Sequence, residues 1–205
     1  MFLYPLWVRL WHIVNALLIA ILIYTGIRIF FLSQGSTNLI LKEGGVVTWH
    51  NIASKILVIS YIGFILGNIF TDNGKHYRIK WKTFFKDLSK QIRYNMYGMY
   101  RNEKQPFPPT FESKFNPLQK ITYIKIMFVA LPLLIISGIG LMIPEETILR
   151  LLSRGGLVII DVSHIILGIV VTLFLVIHIY LATIGYRPST GLNGIITGYV
   201  RSDEE

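Results

Sequence analysis

Apolar residues along the chain gather into four long runs and not into short alternating segments. The runs extend from about Leu10 to Phe31, Trp49 to Phe70, Ile121 to Ile143 and Leu157 to Ile184. A helix needs about 20 residues to cross a hydrocarbon core of about 30 Å, so each run is long enough. Only helices and closed barrels satisfy their backbone polar groups in lipid. The pattern therefore predicts an all-α fold, an integral membrane four-helix bundle read as a single domain over residues 1–205. Trp7, Trp11, Tyr24 and Trp49 stand near the ends of runs, where interfacial aromatics belong. Gly35 and the Gly44-Gly45 pair punctuate the first connection; Pro144 stops the third run and Pro188 follows the fourth.

The long second connection, residues 71–120, has a pattern of its own. Trp81, Phe84, Phe85, Leu88, Ile92 and Met96 recur at helical spacing with lysines between them. That predicts an amphipathic helix lying on a leaflet surface. Pro106, Pro108 and Pro109 break the chain before the third run. Ile148, Leu149, Leu151 and Leu152 predict a similar short element in the third connection.

Composition agrees with the pattern. Hydrophobic residues make up 53% of the chain and the mean hydropathy is +0.54, which places it in the membrane class. The formal charge of +9 is unevenly distributed. Lys75, Arg78, Lys80, Lys82, Lys86, Lys90, Arg93, Arg101, Lys104, Lys114 and Lys120 crowd the second connection against Asp72, Asp87, Glu103 and Glu112. Lys42 and Glu43 in the first connection, and Glu145, Glu146, Arg150, Arg154 and Asp161 in the third, nearly cancel. The positive-inside bias makes the second connection cytoplasmic, and with it both termini. The N-terminus has neither a basic leader nor a cleavage site and does not read as a signal peptide. The basic excess also attracts anionic lipid headgroups. Nucleic acid is a poor partner, because the basic segment is enclosed between spans. The absence of cysteine excludes disulfides, thiolate-held zinc, iron–sulfur clusters and thioether-attached haem. A metal must be held by histidine or oxygen.

Of the five histidines, His76 falls in the basic connection and reads as solvated. His12, His50, His164 and His178 fall in or at the edge of runs, where an ionisable group needs a partner. Their depths match in pairs. With the termini inside, His12 and His178 lie near the inner surface, and His50 and His164 near the outer one. Each level offers two imidazoles from different helices, the axial set of a six-coordinate haem. His164 and His178 are 14 residues apart, which places them within about 40° of one helix face and about 21 Å apart along it. Gly168, Ala16, Gly26 and Ser54 leave room beside these histidines for a flat macrocycle, or equally for helix packing. Arg9 and Arg28 stand near the inner and outer levels as candidate partners for haem propionates.

The stretch Pro5-Leu6-Trp7-Val8-Arg9-Leu10-Trp11-His12 resembles the start of the bacterial di-haem cytochrome b subunits. These are the membrane subunits of nickel–iron hydrogenases, formate dehydrogenases and thiosulfate reductases. Trp49-His50 is similar to their second-span ligand, and His164 through His178-Ile179-Tyr180 to their fourth span. Lys114-Phe115-Asn116-Pro117-Leu118-Gln119-Lys120 resembles the start of their third span, and Gly194-Ile195-Ile196-Thr197-Gly198 their close. The resemblance covers all four spans, but the long second connection matches no pattern. It implies two haem b groups, a bacterial inner-membrane location, and a quinone, menaquinone or ubiquinone, on the cytoplasmic side. Carried over, the quinone candidates are Asn116, Gln119 and Lys120.

The function expected is an electron-transfer subunit linking the quinone pool to an extracytoplasmic redox enzyme or carrier. It has no catalytic residue for substrate chemistry of its own. A second reading is a stand-alone quinone oxidoreductase of the cytochrome b561 type that reacts with superoxide. A third, a small His-lined transporter, is disfavoured because the histidines sit near the two surfaces, not at a midplane.

Overall fold

A computed structural model describes residues 1–33, 43–143, 145–183 and 190–200. Its helices are α1 (Leu6–Ser33), α2 (Glu43–Phe70), α3 (Trp81–Arg93), α4 (Pro117–Lys125), α5 (Leu131–Met142), α6 (Glu145–Thr183) and α7 (Thr190–Thr197). Membrane-length apolar helical stretches occupy Leu6–Phe31, Gly45–Phe70, Pro117–Met142 and Arg154–Thr183. The chain is thus an all-α, multi-pass membrane protein.

The first and third spans begin where local chemistry starts a helix. Pro5, with its φ already near the helical value, precedes α1, and its carbonyl accepts from Val8 and Arg9. The third span begins at Pro117, four residues before the apolar run. Asn116 and Gln119 close a reciprocal capping box ahead of it, with bonds of 2.8 and 3.2 Å. Pro132 lies farther along this span. It has no N–H to donate, and its ring crowds the carbonyl of Phe128. A single wide π turn, Ile126–Ala130, absorbs the misfit between α4 and α5.

One sequence expectation is corrected. Ile148, Leu149, Leu151 and Leu152 do not form a separate element, because the first turns of α6 run without a break into the fourth span. That span starts at Arg154, within a turn of the expected Leu157, since one arginine at a helix end does not interrupt a span. Gly35, Pro144, Pro188 and Ile184 lie outside the described residues.

The chain packs as two compact units, Met1–Arg9 with Ile65–Val129 and His178–Glu205, and Leu10–Phe64 with Ala130–Ile177. In the first unit, α3 packs on α4, and its Phe84 and Gln91 are buried. Trp81, Phe85, Ile92 and Met96 stay exposed along its other side, as an amphipathic surface helix requires. The opening residues pair with the closing ones through the Phe2 and Tyr199 bridge. Gly198 makes that possible. Its φ is +86°, and a side chain there would strike the Phe2 ring.

In the second unit, Trp11 donates to the Ser60 carbonyl at 3.1 Å and stacks on Phe64 at 4.3 Å. Asn15 donates to the Ser60 hydroxyl at 2.7 Å and to the Trp11 carbonyl at 2.8 Å. These polar ties clamp α1 to α2 where hydrophobic association offers little, since lipid is as apolar as leucine.

Candidate functional site

His50 and His164 meet within the second unit. Their ring centroids are 6.3 Å apart and their planes are inclined at 75°. Each ring is fixed from behind by a hydroxyl of another helix. Nδ1 of His50 is 2.8 Å from Oγ1 of Thr25 on α1, and Nδ1 of His164 is 3.0 Å from Oγ of Ser137 on α5. Both hydroxyl residues are buried.

The hydroxyls have carbonyl acceptors of their own. Thr25 donates to the Ile21 carbonyl at 2.7 Å and Ser137 to the Leu134 carbonyl at 3.0 Å. An oxygen so engaged favours Nδ1–H of the imidazole as its donor. That tautomer leaves the Nε2 lone pair available, as a metal-ligating histidine with an orienting partner needs.

The spacing suits an iron between the rings. A metal–imidazole bond of about 2.0 Å, with the ring centre roughly 1.1 Å behind its nitrogen, puts opposed centroids about 6.2 Å apart. An edge-to-face ring pair can also sit at such a distance. That alternative does not need two buried hydroxyls holding both Nδ1 atoms. Among the described residues no group of three or more His, Cys, Asp or Glu is placed to hold a metal ion. Two imidazoles alone are an incomplete donor set, so a metal held between them would need further donors from a group that carries its own.

Small residues leave the room. A Cβ on Gly138 would stand 3.0 Å from Cε1 of His164, and one on Gly26 would stand 3.6 Å from Cε1 of His50. A Cβ on Gly168, one turn from His164, would meet nothing within 4 Å. Arg28 is buried on α1, one turn beyond Thr25.

The other predicted residues fall as follows. His12 lies half-buried on α1 in the second unit. His178 lies half-buried on α6 in the first unit, its ring centroid 5.9 Å from that of Tyr123. Tyr123 leads to Phe115 at 5.0 Å and thence to Tyr77 at 5.5 Å. The Arg9 guanidinium donates to the carbonyls of Ile195 (3.0 Å) and Ile196, tying α7 to α1 within the first unit. The capping box uses the carbonyl ends of the Asn116 and Gln119 amides, so their NH₂ ends remain as donors. Lys120 reaches the Ser113 hydroxyl at 3.4 Å.

His76 contradicts the sequence expectation of a solvated side chain, being only 3% exposed. The short turn Asp72–Tyr77 folds back under the end of α2, and Gly74 lies against the Asn68 carbonyl too closely for a side chain. Burial, then Lys114 and Lys75, push the His76 pKa down to about 4.

Sequence reasoning missed Thr25, Ser137, Gly138 and Tyr123. A signal existed for the two hydroxyls. Thr25 and Ser137 stand inside otherwise apolar runs, at the predicted depth of His50 and His164.

A multi-pass membrane helix bundle that brings together two imidazoles from different spans, each with Nδ1 against a buried hydroxyl, fits the architecture of a membrane cytochrome b. The chain belongs to the prokaryotic cytochrome b561 family, which it matches over residues 3–198. It is 34% identical over 200 residues to a protein of Escherichia coli (strain K12) named "Putative cytochrome YdhU", covering 98% of this chain and 74% of that one. No solved structure matches. Membership makes the protein a haem b-binding, electron-transferring membrane cytochrome.

Proposed function

We propose that the chain is a di-haem electron-transfer subunit linking membrane quinone to an extracytoplasmic redox partner. The observation that carries the reading is the His50/His164 pair, with each Nδ1 held by a buried hydroxyl. His50 and His164 would hold one haem and His12 and His178 the other. When bound, each haem supplies reversible one-electron chemistry at its iron.

The chain's own residues do the rest. Thr25 and Ser137 would orient the two imidazoles that hold the haem. Arg28, buried near the His50 level, is the arginine best placed for a propionate. Arg9 is largely engaged with the α7 carbonyls and would serve a propionate only with what its guanidinium has left. The NH₂ groups of Asn116 and Gln119 and the Lys120 ammonium can donate to the carbonyl oxygens of a quinone at the head of the third span. Both termini and the basic connection are assigned to the cytoplasm of a bacterial inner membrane. Quinone protons would then exchange on that side.

The test keeps the capping box and removes the donors. Asn116→Ser retains an N-cap oxygen and Gln119→Glu retains the reciprocal acceptor. Each should slow haem reduction by a quinol analogue while leaving the haem spectrum unchanged. Wild-type kinetics in both, and in Lys120→Gln, would place the quinone elsewhere. The stand-alone b561-type reading shares the same family. Co-purification of an outer redox subunit in mild detergent favours the linked form, and quinol–superoxide exchange by the isolated chain favours the other.

A further inference from the structure

Lys114 is a buried cation whose partner is not a carboxylate. It is 8% exposed and donates to Asn73 Oδ1 at 2.9 Å. Its ammonium also stands 5.5 Å from the centre of the Tyr4 ring. Among the described residues the ion pair is Arg93 with Glu103, and it does not involve Lys114. A buried charge without a counter-charge is expensive to keep.

The surroundings add to the excess. A cavity of about 340 Å³ within the first unit is lined by Pro5, Trp7, Thr71, Asp72, Asn73, Lys75, His76 and Lys114. Nδ1 of His76, itself buried, has no hydrogen-bond partner among the described residues. Asp72 is the carboxylate of the lining, and it is exposed. The positive field also appears in the acidity of its members. Burial and Lys75 hold the Lys114 pKa down to about 8. Burial first, then Lys114 and Lys75, keep His76 neutral against a hydrogen bond to the Glu112 backbone that favours its charged form.

The cavity sits at a membrane boundary. Thr71–His76 follow Phe70, the last residue of the second span, and Pro5 and Trp7 flank the first residue of the first span. The Trp7 ring lies against α2, where Gly67 has no side chain to exclude it. Ile69 and Phe70, which precede the Thr71 of its lining, are exposed at the end of the second span.

We propose that this cavity binds a phosphate group, that of an anionic phospholipid headgroup. Lys114 is the buried anchor, Lys75 the rim cation, and His76 Nδ1 a donor once the anion's charge draws a proton to it. Phosphodiesters are the anions concentrated at this depth of a bilayer, and a headgroup can enter while its acyl chains stay beside Ile69 and Phe70. The inference does not depend on the quinone or haem assignments.

The test uses the full chain in neutral detergent, titrated with dioctanoyl phosphatidylglycerol, dioctanoyl phosphatidylcholine or inorganic phosphate, and read by thermophoresis and native mass spectrometry. Phosphatidylglycerol should bind more tightly than phosphatidylcholine, by roughly tenfold. Lys114→Met should weaken it by a similar factor, His76→Gln by less, and Lys114→Arg little. Inorganic phosphate binding as tightly, with the same dependence on Lys114, would support the site and make free phosphate its source. Should Lys114→Met fail to fold, His76→Gln and Lys75→Gln carry the test. Three results overturn the proposal. They are no saturable binding of either probe, binding indifferent to Lys114, Lys75 and His76, or equal loss on changing exposed Lys86 and Lys90 of α3, which would mark a diffuse surface field.

Discussion

Nδ1 of His50 lies 2.8 Å from the hydroxyl of buried Thr25, which donates a hydrogen bond to the Ile21 carbonyl at 2.7 Å. Two spans are thereby joined through one side chain, and the ring that α2 supplies is aimed by α1. The consequence is electronic as well as geometric. A hydrogen bond accepted from Nδ1 makes the imidazole a stronger donor through Nε2 and favours the more highly charged iron state.

Thr25→Val keeps the shape and removes the acceptor. The midpoint potential of the haem held by His50 should rise by about 20–40 mV, the equivalent of part of one hydrogen bond. Haem affinity should fall roughly tenfold or more. A redox titration of the purified variant checks this, and an unchanged potential would show that the contact does not tune the ligand.

Gly138 gives a steric counterpart. With a Cβ 3.0 Å from His164 Cε1, alanine forces the ring to yield by a few tenths of an ångström and leucine displaces it. Gly138→Ala should retain both haems with lowered affinity, whereas Gly138→Leu should lose one. Two haems in the leucine variant would contradict the crowding.

The capping box makes Asn116 structural whatever else it does. Asn116→Ala should destabilise the start of the third span by about 1 kcal/mol, and Asn116→Ser by only a few tenths. Thermal unfolding in detergent separates the two. Equal loss in both would mean that the amide's donor end matters for stability.

The pH dependence of His76 and Lys114 has a definite sign. The folded chain holds His76 down to about 4 from an ordinary 6.5, so between those values the unfolded chain binds the extra proton. Stability therefore climbs as pH rises through that window and is lost as it falls. Lys114, down to about 8 from 10.5, acts with the same sign between those values. His76→Gln should flatten the lower climb relative to wild type and Lys114→Met the upper one, read as unfolding temperature against pH. A wild-type advantage that grows toward acid would refute the burial of His76.

The four spans were readable because membrane length and apolar composition constrain helices more strongly than any soluble context does. The amphipathic pattern of Trp81 to Met96 was readable for a similar reason, since its period matches the exposed stripe of α3. His50 and His164 could be matched by depth alone, because a rigid rise per residue converts sequence into height. Depth carries no azimuth, however: it could mark Thr25 and Ser137 as polar residues at the right level, but not which face of α1 and α5 turns toward a histidine, and nothing in the hydropathy marks Gly138. His76 was misread because a basic connection suggests water, whereas the turn after Phe70 tucks it beneath the end of α2. The buried Lys114 escaped notice in the same way.

The most direct measurement is low-temperature electron paramagnetic resonance of the oxidised, purified protein, with haem content determined alongside. Two haem b groups per chain are expected, both low-spin. The one held by His50 and His164 should give the strongly axial, single large-g signal of near-perpendicular imidazole planes, as their 75° inclination requires. That signal should vanish in His50→Ala and in His164→Ala while the second haem remains. A colourless preparation from haem-replete cells, or an axial signal that survives both substitutions, would contradict di-haem ligation by these histidines.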